Sequence, residues 1–124
     1  MPDLHDFLVI PVPLHRRRLR ERGFNQSLLL ARVLSSGLGN QLDYLSLIRN
    51  RYTQAQTGLK KKERRKNVKD AFSVIYPNAI KHKKILLIDD VFTTGHTLNE
   101  CARTLKKSGA SAVICLTLAR TLAE

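Results

Sequence analysis

The chain has 124 residues, 43% of them hydrophobic, which is enough for one core and too little for two domains. Its 22 Lys and Arg stand against 10 Asp and Glu, and a formal charge of +12 favours polyanionic partners such as nucleic acid, phosphorylated metabolites or acidic lipid. No apolar run approaches the roughly 20 residues that cross a bilayer, and the N-terminus lacks the basic-then-apolar order of a signal peptide. The expectation is therefore a cytoplasmic protein without membrane insertion.

Met1 to Asp6 is polar and expected to fray. Phe7 to Val12 is a short apolar run closed by Pro11 and Pro13, and reads as the first strand. A basic stretch follows: His15, Arg16, Arg17, Arg18, Arg20 and Arg22, offset only by Glu21 and ending at Gly23. Its place after a strand and before a helix suits an anion site, because arginine offers charge and donors in a fixed planar array. Helical spacing would nevertheless splay Arg16, Arg17 and Arg18, so some of them face outward. From Ser27 the pattern is helical until Ser35, Ser36 and Gly37 stop it. Gln41 to Ile48 reads as a second strand.

Between Arg49 and Lys69 there are nine basic residues and one acidic residue, Glu63. Self-repulsion should keep this segment loose until an anion arrives. Ala71 to Tyr76 is a returning strand, and Pro77 to His82 a connection. Lys84 then introduces Ile85 to Ile88, four apolar residues that predict a strand buried on both faces, as in a parallel sheet covered by helices. Asp89 and Asp90 are expected where that strand leaves the sheet, the place where open α/β sheets bind ligands. Thr93, Thr94, Gly95, His96 and Thr97 open a helix with Leu98, Cys101, Ala102 and Leu105 on its apolar face. A tight turn containing glycine at a helix start gathers backbone N–H groups and the positive helix end around one point, which suits a phosphate. The acid pair and the phosphate cradle together imply a phosphorylated sugar. Ser108, Gly109 and Ala110 stop this helix, with Gly109 as its cap, and Ala112 to Leu118 reads as a last buried strand. Cys101 and Cys115 are too isolated for a zinc site and fall in apolar patterns, so both are expected as buried thiols. The order of elements predicts a single α/β domain over residues 1–124, with a mainly parallel sheet flanked by helices.

Four apolar residues, Asp89-Asp90, two apolar residues and Thr93-Thr94-Gly95-His96-Thr97 resemble the phosphoribosyl pyrophosphate (PRPP) motif of type I phosphoribosyltransferases. The resemblance implies that Asp89 and Asp90 bind the ribose hydroxyls and that Thr93, Thr94, Gly95, His96 and Thr97 wrap the 5′-phosphate. His96 takes a position often held by Gly or Ala. Val12 to Gln26 is similar to the signature of the competence protein F (ComF) branch. By that likeness His15, Arg16, Arg17, Arg22 and Gly23 bind pyrophosphate. Arg51, Thr53, Gln56, Arg64 and Asn67, followed by Ala71-Phe72, again look like this branch and, more distantly, amidophosphoribosyltransferases. In those relatives the segment is a flexible loop that closes over PRPP. The four-cysteine zinc module and further helix that usually open the branch have no counterpart before Phe7, and the chain reads as a short form or a fragment in which a homodimer would cover exposed sheet.

What the family implies is binding of PRPP with Mg²⁺, carried by the PRPP itself and by Asp89 and Asp90 rather than by cysteines. The implied reaction transfers ribose 5-phosphate to a nitrogen nucleophile with loss of pyrophosphate. No residue stands out as a general base and no acceptor pocket is visible, so catalysis and acceptor stay open. The ComF likeness also implies a link to DNA uptake in natural competence, with single-stranded DNA and DNA-processing proteins as partners. The competing class is a non-catalytic protein that binds single-stranded nucleic acid or senses nucleotides. DNA would track the Arg16 to Arg22 and Lys60 to Lys69 segments electrostatically.

Overall fold

The computed structural model describes residues 3–50, 69–92 and 95–120. Strand β1, Leu8–Pro11, leads to helix α1, Arg16–Arg22, and helix α2, Gln26–Leu38. A hairpin-like pair follows, β2, Leu47–Arg49, and β3, Phe72–Val74, which run antiparallel. A single turn of helix, α3, Pro77–Ile80, precedes the longest strand, β4, Lys84–Phe92. Helix α4, His96–Lys107, then returns the chain to β5, Ala112–Arg120.

The main sheet has the order β1-β4-β5, all parallel, with Leu8 opposite Ile85 and Ile85 opposite Val113. Ile85, Leu86, Leu87 and Ile88 have 1% exposure or less, as their unbroken apolar run predicts. Alternation then divides them. Ile85 and Leu87 pack with Leu98, Cys101 and Leu105 of α4, whereas Leu86 and Ile88 pack with Val9 and with Ala31 of α2. Two apolar layers therefore hold one helix on each face of the sheet. Each fully buried Leu or Ile contributes about 1.5–3 kcal/mol.

The chain departs from the sequence reading at several places. Leu4 is not frayed: it packs against the Val9 layer, and the Asn40 amide donates to the Leu4 and Phe7 carbonyls, both at 2.7 Å. Helix α2 does not stop at Gly37 but continues to Leu38, where Gly39 turns left-handed and donates to the Ser35 carbonyl. Gln41 to Ile48 is not one strand. Leu42 makes an isolated parallel bridge to Val9, after which the Asp43 carboxylate accepts from the backbone of Leu45 at 2.9 Å and Ser46 at 3.0 Å, folding a turn that delays β2 to Leu47. The connection after Tyr76 contains α3, opened by Pro77.

The last strand is not buried. Strand β5 has only β4 beside it among the described residues, and Leu116 (41%), Leu118 (69%) and Cys115 are exposed. Strand β1 also ends the sheet but is covered on both faces and bridged by Leu42, so it is the lack of such cover among the described residues, rather than composition, that leaves β5 exposed. Cys101 is buried as expected, and burial pushes its thiol well above the usual range. Among the described residues no helix is long and apolar enough to cross a membrane.

Candidate functional site

Three chain segments converge at the C-terminal end of β4. Asn25 caps α2 by accepting from the Ser27 backbone at 3.0 Å, and its amide donates to the Val12 carbonyl at 3.2 Å, which fixes the helix start to the end of β1. Ser27, in the first turn, is only 4% exposed, and its hydroxyl donates to Asp89 Oδ1 at 3.1 Å. The Asp90 N–H is shared between Asp89 Oδ1 at 2.9 Å and Ser27 Oγ at 3.2 Å. The aspartates do not follow the strand, as expected from sequence, but lie within it. The β1 ladder ends at Ile88, while β4 continues beside β5, with Asp89 opposite Thr117.

The Asp89 carboxyl is pushed up to about 7. Burial is the main cause, the adjoining Asp90 carboxyl adds to it through a hydrogen bond and through its charge, and the Ser27 hydrogen bond opposes both. The result is an oxygen-rich pair that carries less than its full negative charge at neutral pH: its oxygens can meet sugar hydroxyls, and a hard cation there would have to displace the proton that Asp89 tends to keep.

Beyond the strand, Gly95 has φ 83° and precedes the first turn of α4, where His96 and Thr97 lie. A left-handed residue here turns the chain from strand into helix within a few residues, which glycine does without steric cost. Gly95 has no side chain with which to cap α4, and the first turn of the helix holds no acid. Thr93 and Thr94 fall outside the described residues.

The basic stretch forms α1. His15 caps it, accepting at Nδ1 from the Arg17 N–H at 3.1 Å, and Gly23 closes its other end. Arg16 and Arg17 thus stand at the start of α1, and Arg22 and Gly23 at its end, about 9 Å of helix rise away. Arg17 approaches Glu21 at 3.8 Å, and Arg22 lies over the Phe24 ring at 5.3 Å. Arg51, Thr53, Gln56, Arg64 and Asn67 lie outside the described residues. Among the described residues no group of three or more His, Cys, Asp or Glu is placed to hold a metal. Sequence reading missed Ser27 and Asn25 as the residues that position Asp89. The available signal was the Asn-Gln-Ser run at a helix start, where a capping side chain is expected.

Known proteins resemble this chain over most of its length. The sequence profile of the phosphoribosyl transferase domain matches residues 25–124. Competence protein F of Haemophilus influenzae is 41% identical over 115 residues, covering 90% of this chain and 49% of the relative. DNA utilization protein YhgH of Escherichia coli K12 is 41% identical over 114 residues, covering 92% of this chain and 49% of the relative. Competence protein ComFC of Bacillus subtilis is 38% identical over 121 residues, 97% of this chain and 47% of the relative. The chain spans about half the length of these curated relatives. Among solved structures, the glutamine PRPP amidotransferase of Bacillus subtilis superposes with TM-score 0.63 at 19% identity, over 95% of this chain and 23% of that one. The PRPP synthetase of Mycobacterium smegmatis gives 0.56 at 19% identity, over 96% and 29%. These two share the fold. With the profile covering most of its length, the chain belongs to the phosphoribosyl transferase domain family, and its similarity within that family is to the competence protein F branch.

Proposed function

We propose that this chain binds PRPP together with Mg²⁺. The observation that carries the reading is the union, at one end of β4, of the Ser27-supported Asp89 and Asp90 pair with the start of α4 behind Gly95. Carboxylate oxygens accept from ribose hydroxyls, and backbone N–H groups at a helix start donate to a phosphate without any cationic side chain. His15, Arg16, Arg17, Arg22 and Gly23 would meet the pyrophosphate, those at the two ends of α1 serving different parts of it or different ligands. Arg51, Thr53, Gln56, Arg64 and Asn67 would close over it.

Two carboxylates alone make an incomplete shell for a divalent cation, which fits a Mg²⁺ that arrives with the substrate's own phosphates. Its chemistry would be neutralisation of the departing pyrophosphate. The chain's own contribution is to hold the sugar and keep the anion charges apart. If ribose 5-phosphate is transferred, the acceptor is a nitrogen nucleophile. The names of the relatives, competence protein and DNA utilization protein, together with the charge of +12, support a role beside DNA processing in the cytoplasm, with single-stranded DNA as a partner of the basic segments.

Calorimetric titration of PRPP with and without Mg²⁺ tests the reading. The expected outcome is metal-dependent binding that falls at least tenfold, a loss of about 1.4 kcal/mol, in Asp89→Asn with Asp90→Asn. Equal binding by that variant, shown to be folded by its thermal transition, would sink it. Single-stranded DNA binding should persist in the same variant.

A further inference from the structure

The end of the sheet opposite the carboxylate pair carries a second concentration of charge. Lys81, His82, Lys83 and Lys84 lead from α3 into β4, and Lys106 and Lys107 stand in the last turn of α4. All six are exposed. Among the described residues none of the six makes an ion pair, and Asp3 and Asp6, which precede β1 at the same end of the sheet, are not paired with them. The two turns that carry these residues are tied together. The His82 N–H donates to the Gly109 carbonyl at 2.8 Å, and the Ser111 N–H donates to the Lys83 carbonyl at 2.8 Å. His82 is held there at a left-handed φ of 66°, which residues with a side chain seldom adopt. The charges therefore stand on a fixed part of the core. Lys106 and Lys107 offset the negative end of α4, which accounts for two of them and gives no reason for the run from Lys81 to Lys84.

Lys84 opens β4, and Asp89 is five residues further along the same strand, about 17 Å away. The lysines and the carboxylate site thus lie at opposite ends of one strand and share no residue. Lysines grouped without acids repel one another, so the surface gains from an anion that neutralises several at once. The run from Lys81 to Lys84 alone covers up to about 10 Å, more than one phosphate group can meet, which calls for a chain of phosphates. Lysine presents a point charge on a flexible stem rather than the planar fork of arginine, and this suits a backbone followed without base readout. Tyr76 stands at the start of α3, five residues before Lys81, and is 55% exposed. An exposed ring beside lysines can stack an unpaired base, which neither a duplex nor a lipid headgroup offers. We propose that the turn from Lys81 to Lys84, with the end of α4, is a docking platform for the phosphodiester backbone of a single-stranded nucleic acid, with Tyr76 under one base. The inference rests on the DNA partnership proposed above and deepens it: the strand lies on the folded core at the far end of the sheet from PRPP, and one chain holds both ligands at once.

The test is a fluorescence anisotropy titration of a labelled oligodeoxythymidylate of about 15 nucleotides with the 124-residue chain, between about 50 and 200 mM salt. Lys83→Gln with Lys106→Gln and Lys107→Gln should weaken binding at least tenfold at the lowest salt, with an unchanged thermal midpoint. The slope of log K against log salt should become shallower by about 2, as the loss of three phosphate contacts to a single strand requires, whereas loss of distant charge would leave the slope nearly as it was. Tyr76→Ala should weaken binding at least fivefold with the slope unchanged. PRPP with Mg²⁺ should leave the affinity of the parent chain for the strand unchanged. Affinity and slope equal to the parent's in the triple lysine variant would overturn the platform alone and leave the strand to the Arg16 to Arg22 or Lys60 to Lys69 segments. No binding by the parent would overturn the platform together with the DNA partnership on which it rests. Displacement of the strand by PRPP would also overturn it, since both ligands would then lie at one end of the sheet. So would binding to phosphatidylserine vesicles that falls in the triple variant while oligonucleotide binding does not, which would assign the lysines to a membrane surface.

Discussion

Asp89 holds its proton to about 7 in the folded chain, against 3.8 for an ordinary aspartate. The sign of the consequence follows from which state binds the proton. Between these values the native state keeps it and the unfolded chain releases it, so this residue favours folding most below 3.8, loses that contribution as pH rises to about 7, and changes nothing further above. Asp89→Asn removes the ionisation. In the absence of ligands the variant should be more stable than its parent at about pH 8, by an amount on the order of a few kcal/mol, and the difference should close toward about pH 4. Thermal unfolding across that range checks it, and a difference independent of pH would contradict the assignment. The acid pair itself was legible, since two carboxylates ending an apolar run have few bland explanations. Its support was not, because Ser27 lies 62 positions away and meets Asp89 only through the packing of α2 on the sheet.

At the scale of elements, periodicity decided more than punctuation did. The core face of α4 is the one its spacing names, with Leu98, Cys101 and Leu105 buried. Glycines were less reliable signals. Gly37 is helical with nothing within 4 Å of where a Cβ would stand, whereas Gly109 has φ +104° and a Cβ there would meet Lys81 Cγ at 3.3 Å and Lys81 Cα at 3.4 Å. Opposite outcomes are expected from the same substitution. Gly109→Ala should cost about 1–2 kcal/mol in urea unfolding, while Gly37→Ala should add up to about 0.5–1 kcal/mol. Equal effects would mean that backbone geometry does not distinguish the two positions. The second strand was misread for a related reason: Asp43 gives the backbone of Leu45 and Ser46 a local partner, and a turn then competes successfully with a ladder.

For the molecule as a whole, the run Ile85 to Ile88 was sufficient to expect a parallel sheet covered on both faces, and the helices on either side follow from it. Which end of the sheet stays open was not legible, because β5 is as apolar as a buried strand, and of the two outer strands among the described residues only β1 gains a bridge, from Leu42. That order also has a consequence in time. Lys84 pairs with Ala112, close along the chain, whereas Leu8 pairs with Ile85, 77 positions away. The β4-α4-β5 unit closes a short loop and should form early, with β1 docking late. Leu105→Ala is therefore expected to slow refolding, and Ile10→Val chiefly to hasten unfolding, in stopped-flow experiments with urea; the reverse pattern would place β1 in the nucleus. On a ribosome adding about 5–20 residues per second, β4 is made about 4–15 s after β1. For that interval Val9 can already meet Ala31 and Leu42, but Leu8 and Ile10, whose layer is built largely from later residues, have no place of their own to go, and a holding chaperone or a neighbouring nascent chain competes for them before the sheet exists.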